Sequence, residues 1–254
     1  ESFADNSKGI EDFDKASEIL KKDLWAMVSQ DNDDINKTEN TQPIMLIAGI
    51  TIWNLLKNEI DKPKFVAGHS LGELTALLSE EVVSFEDALK IVAKRASLMQ
   101  AAIPQGVGAM AAIIGLDDNK IINLCNQIDT DEVIEPVNFN SPGQVVIAGH
   151  KSLIEKSLNI FKEAGAKRAL LLPVSVPSHC SLMKPITEEF TSFLNTIDFS
   201  KPKISIIHNV DASIHTEEKK IKDALVRQLY NPVQWTNSIE YMLSQQNNCF
   251  VEVG

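Results

Sequence analysis

Cysteine is scarce in this 254-residue sequence. Cys125, Cys180 and Cys249 are odd in number and far apart, and no C-x-x-C pair occurs. This usage argues against a disulfide framework and against a zinc site, and it is typical of a reducing compartment. We therefore expect a cytoplasmic protein without a bound metal ion.

Long apolar runs and blocks of basic residues are also missing. No apolar stretch approaches the roughly 20 residues that a transmembrane helix needs. The formal net charge is -11, which argues against nucleic acid or an anionic membrane as the main partner. Because no glycine-rich phosphate loop and no metal-ligand spacing occurs, the sequence predicts no metal or redox cofactor. Any anionic substrate must then be bound by a few well-placed cations.

Hydrophobic residues make up 44% of the chain, which is enough for a sizeable core in one α/β unit or in a core with a smaller insertion. Periodicity and capping residues predict helices at 11–28, 41–59, 70–78, 85–103, 182–194, 219–230 and 236–244, and a polar loop at 31–40. Short strands are predicted at 64–68, 204–207 and 250–253.

The order of elements changes between residues 105 and 173. Predicted strands at 109–114, 133–139, 145–148 and 168–172 alternate with helices at 117–128 and 151–164. This βαββαβ order is typical of a ferredoxin-like unit. We therefore predict an α/β protein with a core of residues 1–104 and 174–254, and an inserted ferredoxin-like subdomain of residues 105–173.

A Gly-x-Ser-x-Gly motif lies between the predicted strand 64–68 and the helix that follows. Such a turn exposes the serine hydroxyl, here that of Ser70, and the flanking Gly68 and Gly72 are expected to let neighbouring backbone pass close by. The following helix directs its N-terminal N–H groups to the place where an oxyanion would form. The motif predicts a nucleophile in an α/β-hydrolase-like core; the alternative is a glycine-rich turn with a capping serine.

A serine nucleophile needs a base, and the sequence offers five histidines. They are His69, His150, His179, His208 and His215. His69 adjoins the serine but is expected to point away from it on such a turn. His179 follows an irregular Pro-rich segment at 173–178, a setting in which a positioned imidazole is often found. The residues alone leave open whether His179 is the base or a structural cap.

Arg95 lies at the edge of the apolar face of the predicted helix 85–103, beside Val92 and Met99. A cation at this place either keeps its charged end in water with its stem packed, or reaches into a cleft. Helical spacing alone favours the first alternative.

Four segments resemble the malonyl-CoA:acyl-carrier-protein transacylases of fatty-acid synthesis, in order and over nearly the whole chain. They are Gly68-His69-Ser70-Leu71-Gly72-Glu73, Pro136-Val137-Asn138-Phe139-Asn140-Ser141-Pro142-Gly143-Gln144, Val174-Ser175-Val176-Pro177-Ser178-His179 and Val226-Arg227-Gln228-Leu229-Tyr230-Asn231-Pro232-Val233-Gln234-Trp235. Such a series is far more specific than any single motif.

The resemblance implies a role for each of five residues. Ser70 would be the nucleophile, His179 the general base, and Gln228 the residue whose carbonyl orients that base. The N–H of Leu71 would contribute to the oxyanion hole, and Arg95 would bind the malonyl carboxylate through two charge-assisted hydrogen bonds. The implied activity is malonyl transfer from malonyl-CoA, as substrate, to acyl carrier protein by a monomeric enzyme.

The carrier proteins of this pathway are themselves acidic, so a negative chain needs a local basic patch to bind them. Lys167, Arg168 and Lys184 are the candidate cations, and ordinary solvated side chains are the alternative.

Two other functions fit parts of the sequence. A serine esterase shares Gly-x-Ser-x-Gly but orders its triad Ser, Asp or Glu, His and needs an apolar acyl pocket. A non-catalytic module for carrier docking is the second, because the resembling family begins with a Gly-Gln-Gly-Ser-Gln loop and continues beyond Gly254. We expect that this sequence represents a shortened chain.

Overall fold

The computed structural model describes residues 7–30, 33–128, 131–174 and 176–254. Ser175 of the His179 segment and two residues of the predicted loop 31–40 lie outside them. The helices are α1 Ser7–Leu20, α2 Leu24–Ser29, α3 Thr38–Leu56, α4 Gly72–Ser79, α5 Phe85–Ala101, α6 Asp118–Gln127, α7 Lys151–Glu163, α8 Thr187–Leu194, α9 Glu218–Gln228 and α10 Trp235–Ser244. The strands are β1 Phe65–Ala67, β2 Gly108–Ile114, β3 Ile134–Ser141, β4 Gln144–His150, β5 Arg168–Leu171, β6 Ser205–His208 and β7 Ser213–Ile214.

A small sheet with the order β1-β6-β7 carries the turn of interest. Strands β1 and β6 are parallel, with Phe65 opposite Ser205 and Ala67 opposite Ile207, and β7 pairs antiparallel with β6. The carboxyl ends of parallel strands meet at one edge of a sheet, which is where ligands bind in open α/β sheets. Ser70 after β1 and Asn209 after β6 therefore come together there.

A second sheet, with the order β3-β4-β2-β5, is antiparallel throughout. Helices α6 and α7 pack on one face, around a cluster that includes Ile113, Ile147, Ile154 and Phe161. The other face contributes Met110, Val137, Val146 and Ala148 to a smaller cluster with Cys180. The sheet thus has its own core and also packs against the segment that follows His179.

The main core is formed chiefly by helices α3, α4 and α5. Their fully buried side chains include Leu46, Ile47, Leu77, Leu89 and Ile91. Ser84 caps α5 as predicted, since its Oγ accepts a hydrogen bond from Asp87 N at 3.0 Å. Across the described ranges, no helix combines the length and apolarity needed to cross a membrane.

The N-terminal helices differ from the prediction. The single helix expected at 11–28 is broken between Leu20 and Leu24, where Lys21 has a φ of +53°. Asp23 caps the start of α2, because its carboxylate accepts a hydrogen bond from Ala26 N at 2.9 Å. Helix α3 begins at Thr38 rather than Thr41, because the Lys37 carbonyl already accepts from Asn40 N and Thr41 N.

Two further predictions need correction. Residues 250–253 form no strand; Phe250 and Val251 are exposed, and the segment pairs with no neighbouring strand among the described residues. The helix predicted at 182–194 is a 3-10 helix, Ser181–Ile186, followed by α8, since Pro185 cannot donate a helical hydrogen bond. Strand β7 was not predicted, because two residues show no periodicity.

Candidate active site

Ser70 lies on a tight turn between β1 and α4. Its φ of +52° is a left-handed conformation that is costly for a residue other than glycine. The Asn209 side chain holds the turn from both sides: its Oδ1 accepts from Ser70 N at 2.6 Å, and its Nδ2 donates to Gly68 O at 2.7 Å. The strained conformation is therefore maintained by a residue 139 positions away in the sequence.

The two glycines of the motif are not equivalent. A Cβ atom on Gly68 would lie 2.0 Å from the carbonyl carbon and oxygen of Gly72, so this backbone approach needs glycine. A Cβ on Gly72 would meet nothing within 4 Å. The expectation of a close approach is confirmed for Gly68 and wrong for Gly72. Helix α4 begins at Gly72 rather than Ser70, with Leu71 at its N-cap beside the positive end of the helix dipole.

His179 is buried and lies against the serine. Its Nε2 is 2.7 Å from Ser70 Oγ, and its Nδ1 is 2.6 Å from the main-chain carbonyl of Gln228. A carbonyl can only accept, so Nδ1 carries the proton and Nε2 is left to accept the Ser70 hydroxyl hydrogen. The His179 N–H also donates to Leu229 O at 3.0 Å, which supports its left-handed φ of +66°.

The surroundings of His179 favour its neutral form. Burial, followed by the positive charge of Arg95, lowers the pKa of His179 to about 3, although the hydrogen bond to the Gln228 carbonyl acts in the opposite direction. The imidazole is therefore uncharged at neutral pH and able to accept a proton.

Arg95 is buried, with 4% of its surface exposed. Its charged end therefore reaches into the interior rather than staying in water. Its Nη1 donates to Gln42 Oε1 at 2.6 Å, and its Nη2 donates to Gln228 Oε1 at 2.9 Å and to Ser70 Oγ at 3.1 Å. Burial lowers the pKa of Arg95 to about 10, while the charge of Glu73 raises it. The guanidinium thus stays charged, and these three side-chain acceptors are neutral.

Sequence reasoning missed a buried polar network behind the site. Glu73 is fully buried and accepts from His208 Nδ1 at 2.7 Å, Asn209 N at 3.0 Å and Gln228 Nε2 at 2.8 Å. Gln228 Nε2 also donates to the Ser70 carbonyl at 3.0 Å. Glu73 could have been selected from the sequence, because it ends the motif that contains Ser70. Nothing in the sequence around Gln42, His208 or Asn209 indicates that these residues lie at the site.

Among the described residues, no histidine side chain other than that of His179 makes a hydrogen bond to Ser70. His69 Nε2 lies 2.9 Å from Asn140 Oδ1, and its ring packs edge-on against Trp235, while burial lowers its pKa. His150 Nδ1 accepts from a backbone N–H, and His215 pairs with Asp211 at 3.0 Å. His179 is therefore the histidine that the fold brings to the nucleophile.

The buried cysteines and the potential metal ligands differ from the serine site. Burial raises the pKa of both Cys125 and Cys180 to about 12, which keeps these thiols protonated. In the part of the chain that the structure describes, no group of three or more His, Cys, Asp or Glu side chains is arranged to hold a metal ion.

The geometry of a serine, a neutral imidazole and a buried guanidinium is that of an acyl-transfer site, and comparison with known proteins gives the same class. Residues 15–254 match the family model of the acyl transferase domain. Malonyl CoA-acyl carrier protein transacylase of Haemophilus influenzae is 50% identical over 248 residues, covering 96% of this chain and 80% of that protein. The counterpart of Staphylococcus aureus is 42% identical over 254 residues, covering 99% of this chain and 82% of that protein. The chain belongs to the malonyl CoA-acyl carrier protein transacylase family.

Solved structures agree with this assignment. An acyl carrier protein S-malonyltransferase from Vibrio cholerae superposes with a TM-score of 0.89 at 50% identity, covering 94% of this chain and 79% of that chain. A malonyl-transacylase in complex with a type II PKS acyl-carrier protein gives a TM-score of 0.93 at 45% identity, covering 96% and 79%. The mixed α/β fold is therefore that of this family.

Proposed function

We propose that the protein transfers a malonyl group from malonyl-CoA to the phosphopantetheine thiol of acyl carrier protein, through an ester on Ser70. The observation that carries this proposal is Arg95: a buried guanidinium directed at the nucleophile, whose side-chain partners are neutral. A buried cation favours an acyl group that brings its own carboxylate, and among short acyl groups malonyl does so while acetyl does not.

In the first half-reaction, the malonyl carboxylate pairs with Arg95 and places the thioester carbonyl at Ser70. His179 Nε2 takes the hydroxyl proton as Ser70 Oγ attacks the carbonyl carbon. The Gln228 carbonyl stabilises the imidazolium that forms, and the Leu71 N–H at the start of α4 binds the oxyanion. The C–S bond then breaks, and the departing CoA thiolate receives the proton from His179.

In the second half-reaction, the carrier's phosphopantetheine thiol gives its proton to His179 and attacks the malonyl ester. The Ser70 oxygen leaves and recovers the proton, which restores the neutral imidazole. This ping-pong sequence uses the side chains and main-chain groups already described and no cofactor, with malonyl-CoA as a substrate.

The architecture fits this chemistry. We interpret residues 1–104 and 174–254 as an α/β-hydrolase-like core, which supplies the nucleophile, the base and Arg95. We interpret residues 105–173 as an inserted ferredoxin-like subdomain, supported by the strand order β3-β4-β2-β5 and by the separate cluster beneath α6 and α7. A cytoplasmic monomer remains our expectation for the enzyme.

Intact-mass measurement with malonyl-CoA tests the proposal directly. The wild-type protein should gain one malonyl group and lose it on addition of carrier protein, with malonyl-carrier as the product. Ser70→Ala should gain none. Transfer of the group to water alone would indicate an esterase, and an unmodified wild-type protein that still binds the carrier would indicate a docking module; either result contradicts the proposal.

A further inference from the structure

Glu73 is a buried carboxylate that the reaction sequence above does not use. It lies in the first turn of α4, three residues after Ser70, and is completely buried. Burying an ionised carboxylate is costly unless it is fully hydrogen-bonded. Its three donors meet that condition, and a positive charge close by would stabilise it further.

His208 is the first of these donors. Its Nδ1 donates to Glu73 at 2.7 Å, whereas its buried Nε2 has no hydrogen-bond partner among the described residues. The contacts that connect Glu73 to the site around Ser70 therefore run through its other two donors, Asn209 and Gln228.

Two hydrogen bonds connect Glu73 to Arg95 through the side chain of Gln228. Arg95 Nη2 donates to Gln228 Oε1 at 2.9 Å, and Gln228 Nε2 donates to Glu73 Oε2 at 2.8 Å. A guanidinium only donates and an ionised carboxylate only accepts, so the orientation of the amide is fixed by its two neighbours. The positive charge of Arg95 and the negative charge of Glu73 thus stabilise each other across one amide.

We propose that Glu73 is a positioning residue for acyl-group selection: through the Gln228 side chain, it holds the Arg95 guanidinium aligned at Ser70 before substrate binds. This inference rests on the proposed function, because it assigns to Glu73 the preference for an acyl group that carries a carboxylate. Gln228 also holds His179 through its main-chain carbonyl at 2.6 Å. Glu73 therefore supports Gln228, the residue that contacts both Arg95 and His179.

Competition between malonyl-CoA and acetyl-CoA, with the acyl-enzyme adducts counted by mass, tests the role of Glu73. Glu73→Gln keeps the shape and removes the charge; it should lower the malonyl-to-acetyl ratio by roughly 5- to 30-fold, mostly through slower malonyl loading. Glu80→Gln is the matched control, because Glu80 is a buried acid at the end of the same helix, where its carboxylate accepts a hydrogen bond from Ser79 Oγ. It should leave the ratio unchanged.

A double-mutant cycle separates positioning from general structural support. If Glu73 acts through Arg95, Glu73→Gln should not change the ratio further in an Arg95→Gln background. A structural role would slow both substrates equally and would add to the effect of Arg95→Gln. Should Glu73→Gln fail to fold, Gln228→Met breaks the same bridge and keeps the main-chain carbonyl, and it should give the same shift in ratio.

The outcomes are distinguishable from failure of the proposed function. A wild-type protein that forms no malonyl adduct contradicts both. A wild-type preference for malonyl that persists unchanged in folded Glu73→Gln or Gln228→Met overturns the positioning role of Glu73 and leaves the proposed function standing.

Discussion

His179 and Arg95 both form a hydrogen bond with the hydroxyl of Ser70. The positive charge of Arg95 therefore affects how readily His179 takes up a proton. The guanidinium donates to the same oxygen whose proton the imidazole accepts. Its positive charge and the burial of the ring both disfavour a second proton on His179. In the proposed mechanism, a malonyl carboxylate on Arg95 would neutralise that charge, so the imidazole would become more basic when the correct acyl group is bound.

This coupling predicts an unusual pH dependence for the free enzyme. A base works in its neutral form, above its pKa, and burial with Arg95 lowers the pKa of His179 to about 3. The rate at which a neutral serine-directed reagent, such as phenylmethylsulfonyl fluoride, modifies Ser70 should therefore stay level from pH 8 down to about 5. An unperturbed histidine would lose half of the rate near pH 6.5.

Arg95→Gln provides the comparison for this experiment. Removing the guanidinium removes one cause of the lowered pKa, so the acid limb of the modification rate should move to higher pH. A wild-type midpoint close to 6.5, or identical profiles for the two proteins, would contradict the coupling between Arg95 and His179.

At the scale of single residues, local chemistry and family resemblance were sufficient for part of the site only. Ser70 could be selected because a strand, a sharp turn and a helix adjoin it in sequence. His179 and Arg95 each had a structural alternative, since helical spacing does not reveal which way a long side chain turns. Asn209 depends on a contact across more than 130 positions, for which a single sequence offers no signal. Glu73 lies in the motif that ends the serine turn, but its equally distant contact with His208 could not be predicted from that motif.

At the scale of elements, the strand–turn–helix unit depends on Gly68 much more than on Gly72. Gly68→Ala places a methyl group against the backbone of Gly72, and backbone cannot move aside as a side chain can. We expect a free energy of unfolding lower by on the order of 4 kcal/mol and little acylation of Ser70.

Gly72→Ala is the matched control for that substitution. Its methyl group meets nothing within 4 Å, and alanine is the better helix former at the start of α4 by about 0.5–1 kcal/mol. Its free energy of unfolding, measured by denaturant titration, should be unchanged or slightly higher. Equal losses in the two variants would show that both glycines serve backbone flexibility rather than close packing.

The order of elements was largely predictable, and the errors have physical causes. The βαββαβ segment was recovered because antiparallel strands and amphipathic helices of that length show clear periodicity. Residues 250–253 have a strand-like pattern, but a strand exists only where a neighbour supplies hydrogen bonds. The break at Lys21 depends on a left-handed residue and on the Asp23 cap, which compete with helix propensity over a single turn.

At the scale of the whole molecule, the sheet β3-β4-β2-β5 is hydrogen-bonded to the segment before α10, beside the active site. Phe139 N donates to Val233 O at 3.0 Å, and Val233 N donates to Val137 O at 2.8 Å. On the neighbouring residue, the Asn140 side chain contacts His69, which adjoins Ser70. The last residues of β3 therefore lie beside the segment that carries the nucleophile.

The net negative charge of the chain affects how a carrier protein can dock. An acidic carrier is repelled by a chain of net charge -11, so its docking needs cations near the entrance. Lys184 is exposed on the 3-10 helix that follows His179. Its Nζ lies 5.9 Å from the ring centre of Tyr230, two residues beyond Gln228. Lys184 is thus the candidate cation that lies five residues after His179 and near the segment that follows Gln228, whereas Lys167 and Arg168 lie at the start of β5.

Lys184→Glu should therefore raise the KM for carrier protein while leaving the KM for malonyl-CoA unchanged. Reversing one exposed charge opposite an acidic partner alters binding by about 1 kcal/mol, which corresponds to roughly 5-fold in KM at low salt. The effect should fade near 1 M salt, where the screening length is about 3 Å. Lys156→Glu makes the same change in net charge from an exposed position on α7, and it should have little effect on either KM. If both variants raise the KM for carrier equally, total charge rather than a local patch governs docking; if Lys184→Glu raises both KM values, the substitution acts on the active site itself.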